Sequence, residues 1–384
     1  MKSEQTPLQF DLEQYRKELE FLVNIDSGSR CVDGVNQVTD WFSARYAALG
    51  WPVEQVEPEP GVYGRSAFTW YGDRDSLDLL IICHTDTVFP EGTAKERPFS
   101  IADNRYHGPG VADMKAGCLM AVHAIEQLQQ DGRLKGHIGV LLNGEHELSC
   151  PTIRPFIEKL SSRSKVVVTT EPGRPDGSCV RQRKGILRFV VRFHGRSAHS
   201  GVNPEKGRCA VTEMSRFIVS LRDLQDPERG ITVNPGLVTG GTSVNAIPDF
   251  AECRVDIRVV HAEDATKVDE AVRILASKPH DADVAIDLEG GITRPPLVPN
   301  ERSEELIERI NEIGRKYGIE MTWGFSGGGS DASYASAMGK PALCGLGPVG
   351  GGYHTEKEYL ETVDLQERIC IFRDIVESIG NGSI

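Results

Sequence analysis

The chain has 384 residues, 39% hydrophobic and 26% charged, which is ordinary for a water-soluble fold and long enough for two domains. Its formal net charge of −13 argues against a nucleic-acid partner, whose surface wants Lys and Arg gathered on one face. No window approaches the roughly 18 consecutive apolar residues of a membrane span, and the N-terminal stretch MKSEQTPLQFDLEQY lacks the apolar core of a signal peptide.

In chain order, the spacing predicts a buried strand at 79–84 (LLIICH) and a helix at 115–130 carrying Cys118, Val122, Ile125 and Leu128. An apolar run at 137–142, a helix at 152–160 and a strand at 165–170 follow. This alternation implies an α/β fold, a sheet covered by helices on both faces. Near residue 185 the pattern changes. LRFVVRF (187–193) alternates as a half-exposed strand, and a helix at 209–224, strands at 230–238 and 251–259, a helix at 264–276 and a strand at 283–288 come after it. That is an α+β unit of about 110 residues set into a larger domain. Beyond 293 the first pattern resumes with a helix at 302–317, a Gly-rich loop, a strand near 341–345 and a closing helix at 364–379. The expected division is therefore a discontinuous catalytic, metal-binding domain at 1–182 and 293–384, with the insert at 183–292. The nine cysteines are scattered and never paired as CxxC, which points to reduced thiols and a cytoplasmic location.

Side chains suited to metal binding follow the apolar runs of the larger unit. His84-Thr85-Asp86 comes straight after LLIIC; a neutral imidazole ligates zinc, and a nearby carboxylate can fix its tautomer. Taken alone, such an H-x-D is common by chance. Asp113 lies between glycines in GPGVADMKAG (108–117) and opens a helix, where it could equally be an N-cap. Asn143-Gly-Glu145-His146-Glu147 ends the strand before it with three ionisable groups, which require either a solvated loop or a metal. Glu171-Pro172 ends the strand KVVVTT in the same way. His354 follows the GGG triplet at 350–352. Each feature is weak by itself; five together, all in the larger unit, point to a metal centre.

HTDTVF, GPGVADMKAG, NGEHELS, TTEP, GRSAHSG, GGTSVNAIPD, GGGSDASYA and GGGYHTE occur here in the order seen in a two-zinc metallopeptidase family. From about residue 12 to 380, the chain resembles aminoacylases, succinyl-diaminopimelate desuccinylases and, most of all, glutamate carboxypeptidases. The resemblance implies a zinc-exopeptidase-like catalytic domain with a mixed sheet between helices, and an inserted α+β lid that dimerises. It implies two zinc ions, which cobalt or manganese could replace, and a cis peptide at Asp113–Met114. Asp113 would bridge the metals, with His84 and Glu171 completing one site and Glu147 and His354 the other. Asp86 would orient His84, and His199 would reach the partner subunit's site to stabilise the oxyanion. Asn245 and Arg258 would bind the substrate's terminal carboxylate, an arginine fork being suited to bidentate contact. Gly328 and Gly329 would let backbone N–H groups approach the substrate. The implied substrate is a small molecule or short peptide with a free carboxylate, and the implied assembly is a homodimer through the lid.

One position departs from the pattern. Relatives read Asp-Glu-Glu where this chain has Glu145-His146-Glu147, so the general-base position holds His146. Loss of acid–base help costs on the order of 100- to 10,000-fold. Three explanations stand open: an inactivating replacement, a natural non-hydrolytic relative that binds metal or ligand, or a shifted register in which Glu145 is the base. The expected function is metal-dependent release of a C-terminal acidic amino acid, impaired by His146. The alternatives are an N-acyl amino acid deacylase or dipeptidase, and a non-hydrolytic binding protein.

Overall fold

The computed structural model of the protein describes residues 10–57 and 61–383, and most of the stretch read above for a signal core lies outside the described residues. The chain forms two compact units. The larger comprises the described residues up to Gln182, together with Pro299–Phe325 and Ser330 onward; the smaller comprises Arg183–Val298 and Ser326–Gly329.

A six-stranded mixed sheet organises the larger unit. Its strands lie in the order Val53–Val56, Ser66–Tyr71, Ile138–Asn143, Leu77–His84, Ser164–Thr169, Ala342–Leu343. The last four run parallel to one another, and Ser66–Tyr71 is antiparallel to both of its neighbours. Every residue of Ile138–Asn143 is buried, as a strand covered on both faces demands, which explains why its apolar run shows no alternation. The core joins Leu79, Ile81, Val140 and Leu142 to Leu119 and Ile125 of the helix Ala116–Gln130 and to Phe372 and Ile375 of the closing helix Leu365–Gly380.

Topology then places the chemistry. In the parallel pairing, His84 is in register with Asn143, and Ile82 with Thr169. Three strands therefore end side by side, and the loops carrying Asp86, Glu145–Glu147 and Glu171 leave from one edge. Such strand ends are where open α/β sheets build their sites. The Asp113–Met114 peptide bond is cis, in agreement with the sequence-based expectation.

The smaller unit is a four-stranded antiparallel sheet in the order Thr232–Gly240, Phe250–Val259, Gly185–His194, Ala285–Arg294. Leu187, Phe189, Val191 and Phe193 alternate into a core shared with the helices Ala210–Leu221 and Ala262–Ala276. The last strand continues six residues past the expected end, through Gly290–Gly291 to Arg294. Gly290 has φ of 103°, and a Cβ there would sit 2.1 Å from the Arg188 carbonyl oxygen. The glycine that reads in sequence as a stop is needed for close backbone approach. Among the described residues, no helix is long and apolar enough to cross a membrane. All nine cysteines are free thiols.

Candidate metal centre

Asp113 sits between two histidines. Its Oδ1 is 3.1 Å from His84 Nε2 and its Oδ2 is 3.2 Å from His354 Nε2. His84 Nε2 is also 3.7 Å from Glu171 Oε1, and His354 Nε2 is 3.3 Å from Glu147 Oε1. One carboxylate thus presents a different oxygen to each of two imidazole–carboxylate pairs. Tetrahedral zinc with ligands at about 2.0–2.2 Å sets its donor atoms about 3.3–3.6 Å apart, close to what these groups show. The donor set fits small divalent cations, and two overlapping groups, His84–His146–Glu171 and His84–Asp113–Glu147, have the compactness to hold one.

The tautomers support the same reading. His84 Nδ1 donates to the Asp86 carbonyl oxygen at 2.9 Å, so a neutral ring carries its lone pair on Nε2. That lone pair faces carboxylate oxygens, an arrangement of acceptors against acceptors that needs a proton or a metal between them. Burial works against a charged His84, yet Asp113 and Asp86 hold its pKa well above the ordinary value. His354 is raised to about 10 by Asp113 and Glu147 despite partial burial. Burial opposes ionisation of Asp113 too, but His354 and His84 outweigh it and keep the carboxyl well below its usual range. Metal binding at such a site displaces protons.

Asp86 does more than the expected orientation of His84. Its carboxylate lies 3.4 Å from His84 Nδ1, farther than its own carbonyl, and instead accepts the backbone N–H groups of His146 and Glu147 at 3.1 and 3.0 Å and the Ser29 hydroxyl at 2.7 Å. It therefore fixes the turn that presents Glu147. Glu145 is turned into its own loop, where its carboxylate accepts from Thr152 N at 2.8 Å, Ile153 N at 3.3 Å and the Thr152 hydroxyl. His146 is buried; its ring stacks on His84 with centroids 4.2 Å apart and planes 6° from parallel, and its Nε2 is 3.3 Å from Glu171 Oε1.

Two residues were not singled out from the sequence. Glu358 is buried and accepts the backbone N–H groups of Gly110, Ala112 and Asp113 at 3.0, 2.9 and 3.0 Å, holding the loop that aims Asp113. Burial, reinforced by the charge of Asp113 and opposed by those donors, pushes its pKa up to about 7. Asp331 is buried and accepts from His146 Nδ1 at 2.9 Å, Asn143 Nδ2 at 2.7 Å and Cys150 Sγ at 3.2 Å. Asp331 belongs to a quoted motif, GGGSDASYA, while nothing in GGGYHTEKEY distinguishes Glu358 from its acidic neighbours.

The remaining expected residues lie in the smaller unit. His199 is exposed and accepts the Gly201 N–H at 3.1 Å. Asn245 is exposed and accepts from the Ser243 hydroxyl. Arg258 donates to Asp256 at 2.6 and 3.1 Å and to the Gly327 carbonyl at 3.4 Å, with guanidinium donors left over. Gly328 N donates to Ser326 Oγ at 3.3 Å, and the Gly329 carbonyl accepts from Arg183 at 2.9 Å.

The profile of peptidase family M20/M25/M40 matches residues 80–378. Carboxypeptidase G2 from Pseudomonas sp. (strain RS-16) is 29% identical over 378 residues, 95% of this chain and 89% of its own length. Acetylornithine deacetylase from Vibrio vulnificus is 31% identical over 247 residues, 61% of this chain and 62% of its own length. Among solved structures, an M20 family metallo-carboxypeptidase from Sulfolobus solfataricus superposes with a TM-score of 0.77 at 17% identity, covering 97% of this chain and all of the other.

Proposed function

This chain belongs to peptidase family M20/M25/M40, a family of metal-dependent peptidases and amidohydrolases, and from that premise we propose that it acts on amides that end in an acidic amino acid such as glutamate. The observation that carries the reading is Asp113, one carboxylate with its two oxygens turned to His84 and His354. His84, Asp113 and Glu171 would hold one cation; Asp113, Glu147 and His354 would hold the other. Imidazole and carboxylate donors at these separations favour zinc, with cobalt or manganese as substitutes. When bound, such cations would supply Lewis acidity toward the scissile carbonyl and lower the pKa of the attacking water.

The protein's own residues set the specificity and the rate. Arg258 and Asn245 recognise the terminal carboxylate, the guanidinium keeping donors free after its contact with Asp256. Gly328, exposed and without a side chain, lets the substrate approach the backbone beside Gly329, and the exposed His199 serves the oxyanion of a partner subunit's site. The larger unit forms the catalytic domain; the smaller, which runs to Val298 rather than the expected 292 and also takes in Ser326–Gly329, forms a lid through which a cytoplasmic homodimer assembles. His146 stands where the general base belongs, and Glu145 is committed to Thr152 and Ile153, so this chain hydrolyses slowly while it still binds substrate.

The test is turnover of zinc-loaded protein, as the natural chain and as His146→Glu, on N-acyl glutamate, N-acyl aspartate, N-acyl ornithine and neutral dipeptides. The glutamate conjugate should be the best substrate, with kcat raised about 100-fold or more by His146→Glu and apparent affinity changed less. Preference for the acyl ornithine, which the similarity to acetylornithine deacetylase makes the competing reading, would replace the acidic leaving group.

A further inference from the structure

We infer that the cavity beside Glu147 receives the acyl side of the scissile amide and selects a large apolar acyl group; the inference rests on the proposed amide hydrolysis and names the half of the substrate which that reading leaves open. Two loops of the larger unit build the cavity. Ser29 N donates to the Thr87 carbonyl at 3.0 Å and Thr87 N to the Ser27 carbonyl at 2.8 Å, so residues 27–29 run alongside residue 87. Gly28 permits this approach, since a Cβ there would lie 2.0 Å from the Phe89 carbonyl oxygen. Asp26 secures the far end of the second loop by accepting Gly92 N at 2.8 Å and Ala94 N at 2.7 Å. The Ser29 hydroxyl closes the frame on Asp86, whose carboxylate also holds the N–H groups of His146 and Glu147. Cavity wall and candidate metal ligand therefore share one support, which fixes the cavity before any substrate arrives.

The cavity measures about 450 Å³, within the range of small-molecule pockets. Glu147 forms part of its wall, so the cavity is continuous with the proposed metal pair. Val88, Phe89, Pro90 and Leu148 supply its apolar surface, and Val88 is 40% exposed. The Ser29 hydroxyl is committed to Asp86 and does not serve a ligand. Arg30 and Glu91 are exposed and opposite in charge, so the cavity offers a carboxylate no net attraction. The carboxylate-bearing side of the substrate therefore belongs elsewhere, with Arg258 and Asn245 in the proposed reading. The acyl side is the occupant that the lining fits. An acetyl group fills little of such a volume, whereas a longer hydrocarbon chain covers the apolar wall. Each methylene fully removed from water tightens binding about fourfold.

The experiment is calorimetric binding of N-acetyl-, N-hexanoyl- and N-succinyl-glutamate, and of N-acetyl- and N-hexanoyl-ornithine, to the zinc-loaded protein. The natural chain is compared with Val88→Asp and with the milder Val88→Ser, both at a position exposed enough to accept a polar group. N-Hexanoyl-glutamate should bind the natural chain about ten- to a hundred-fold more tightly than N-acetyl- or N-succinyl-glutamate. Val88→Asp should cut that preference about ten-fold, and Val88→Ser should reduce it in the same direction. Equal affinity for the three glutamate conjugates, or a preference that both Val88 variants leave intact, would overturn the inference while the proposed function stands. Tightest binding of the N-succinyl compound would overturn the apolar class. Ornithine conjugates bound more tightly than their glutamate counterparts, with hexanoyl still preferred to acetyl, would support the cavity and overturn the acidic leaving group. Failure of every conjugate to bind would overturn the inference and the proposed function together.

Discussion

At the scale of single residues, the site depends as much on acceptors behind it as on the ligands. Glu358 receives three backbone N–H groups from the loop that carries Asp113, and it is buried. Each buried donor left without an acceptor costs about 1–3 kcal/mol. Glu358→Ala should therefore lower stability by about 3 kcal/mol or more and weaken metal binding, while Glu358→Gln, which keeps one carbonyl acceptor, should do less; thermal melts of the metal-free proteins check the order. Were the two variants equally stable, the contacts to Gly110, Ala112 and Asp113 would not be what matters. Of the five candidate ligands, His84, Glu147 and Glu171 end or closely follow apolar runs, whereas Asp113 and His354 stand beside glycines; the ligand roles themselves came from the resemblance to the family. Glu358 and Asp331 were not, because their role appears only when residues more than 180 positions apart meet.

Among the elements, the parallel strands and their helices were readable because a run without alternation, such as LLIIC or ILLN, has few solutions other than a strand covered on both sides. The helices Leu12–Val23 and Val32–Ala48 and the strands Val53–Val56 and Ser66–Tyr71 were not read from the sequence. These helices are tied to Ala116–Gln130 by charge. Glu18 meets His123 at 2.7 Å and Arg45 at 2.8 Å, and Arg45 also pairs with Glu126. Burial alone would raise the Glu18 carboxyl, but hydrogen bonds from His123, Gln14 and Arg45 outweigh it and hold its pKa at about 2, against 4.5 ordinarily. A depressed folded pKa contributes stability that is present above the unfolded value and lost as pH falls toward the folded one. Glu18→Gln should therefore be less stable than the natural chain at neutral pH by about 1–3 kcal/mol, and the gap should close as pH falls from about 4.5 toward about 2. Urea titrations across that range measure it; a gap that widens on acidification would show the network to be stabilised by something other than this carboxylate.

For the whole molecule, the proposed dimer has a physical basis in the smaller unit, whose edge strand Thr232–Gly240 exposes Leu237 and Val238. An exposed apolar edge is a liability unless something covers it. Sedimentation at micromolar protein should give a dimer, and Leu237→Lys should shift it toward monomer; a monomeric natural chain would remove the role assigned to His199. The metal pair makes a sharper demand. If Asp113 belongs to both sites, replacing it cannot spare either one, whereas replacing His84 or His354 removes a ligand from one site only. Zinc should be titrated into metal-free natural protein and into Asp113→Asn, His84→Ala and His354→Ala, with bound metal counted by elemental analysis. The natural chain should bind two zinc ions, each histidine variant should retain one site near its original affinity, and Asp113→Asn should lose both. Retention by Asp113→Asn of a zinc at undiminished affinity would contradict the bridged pair.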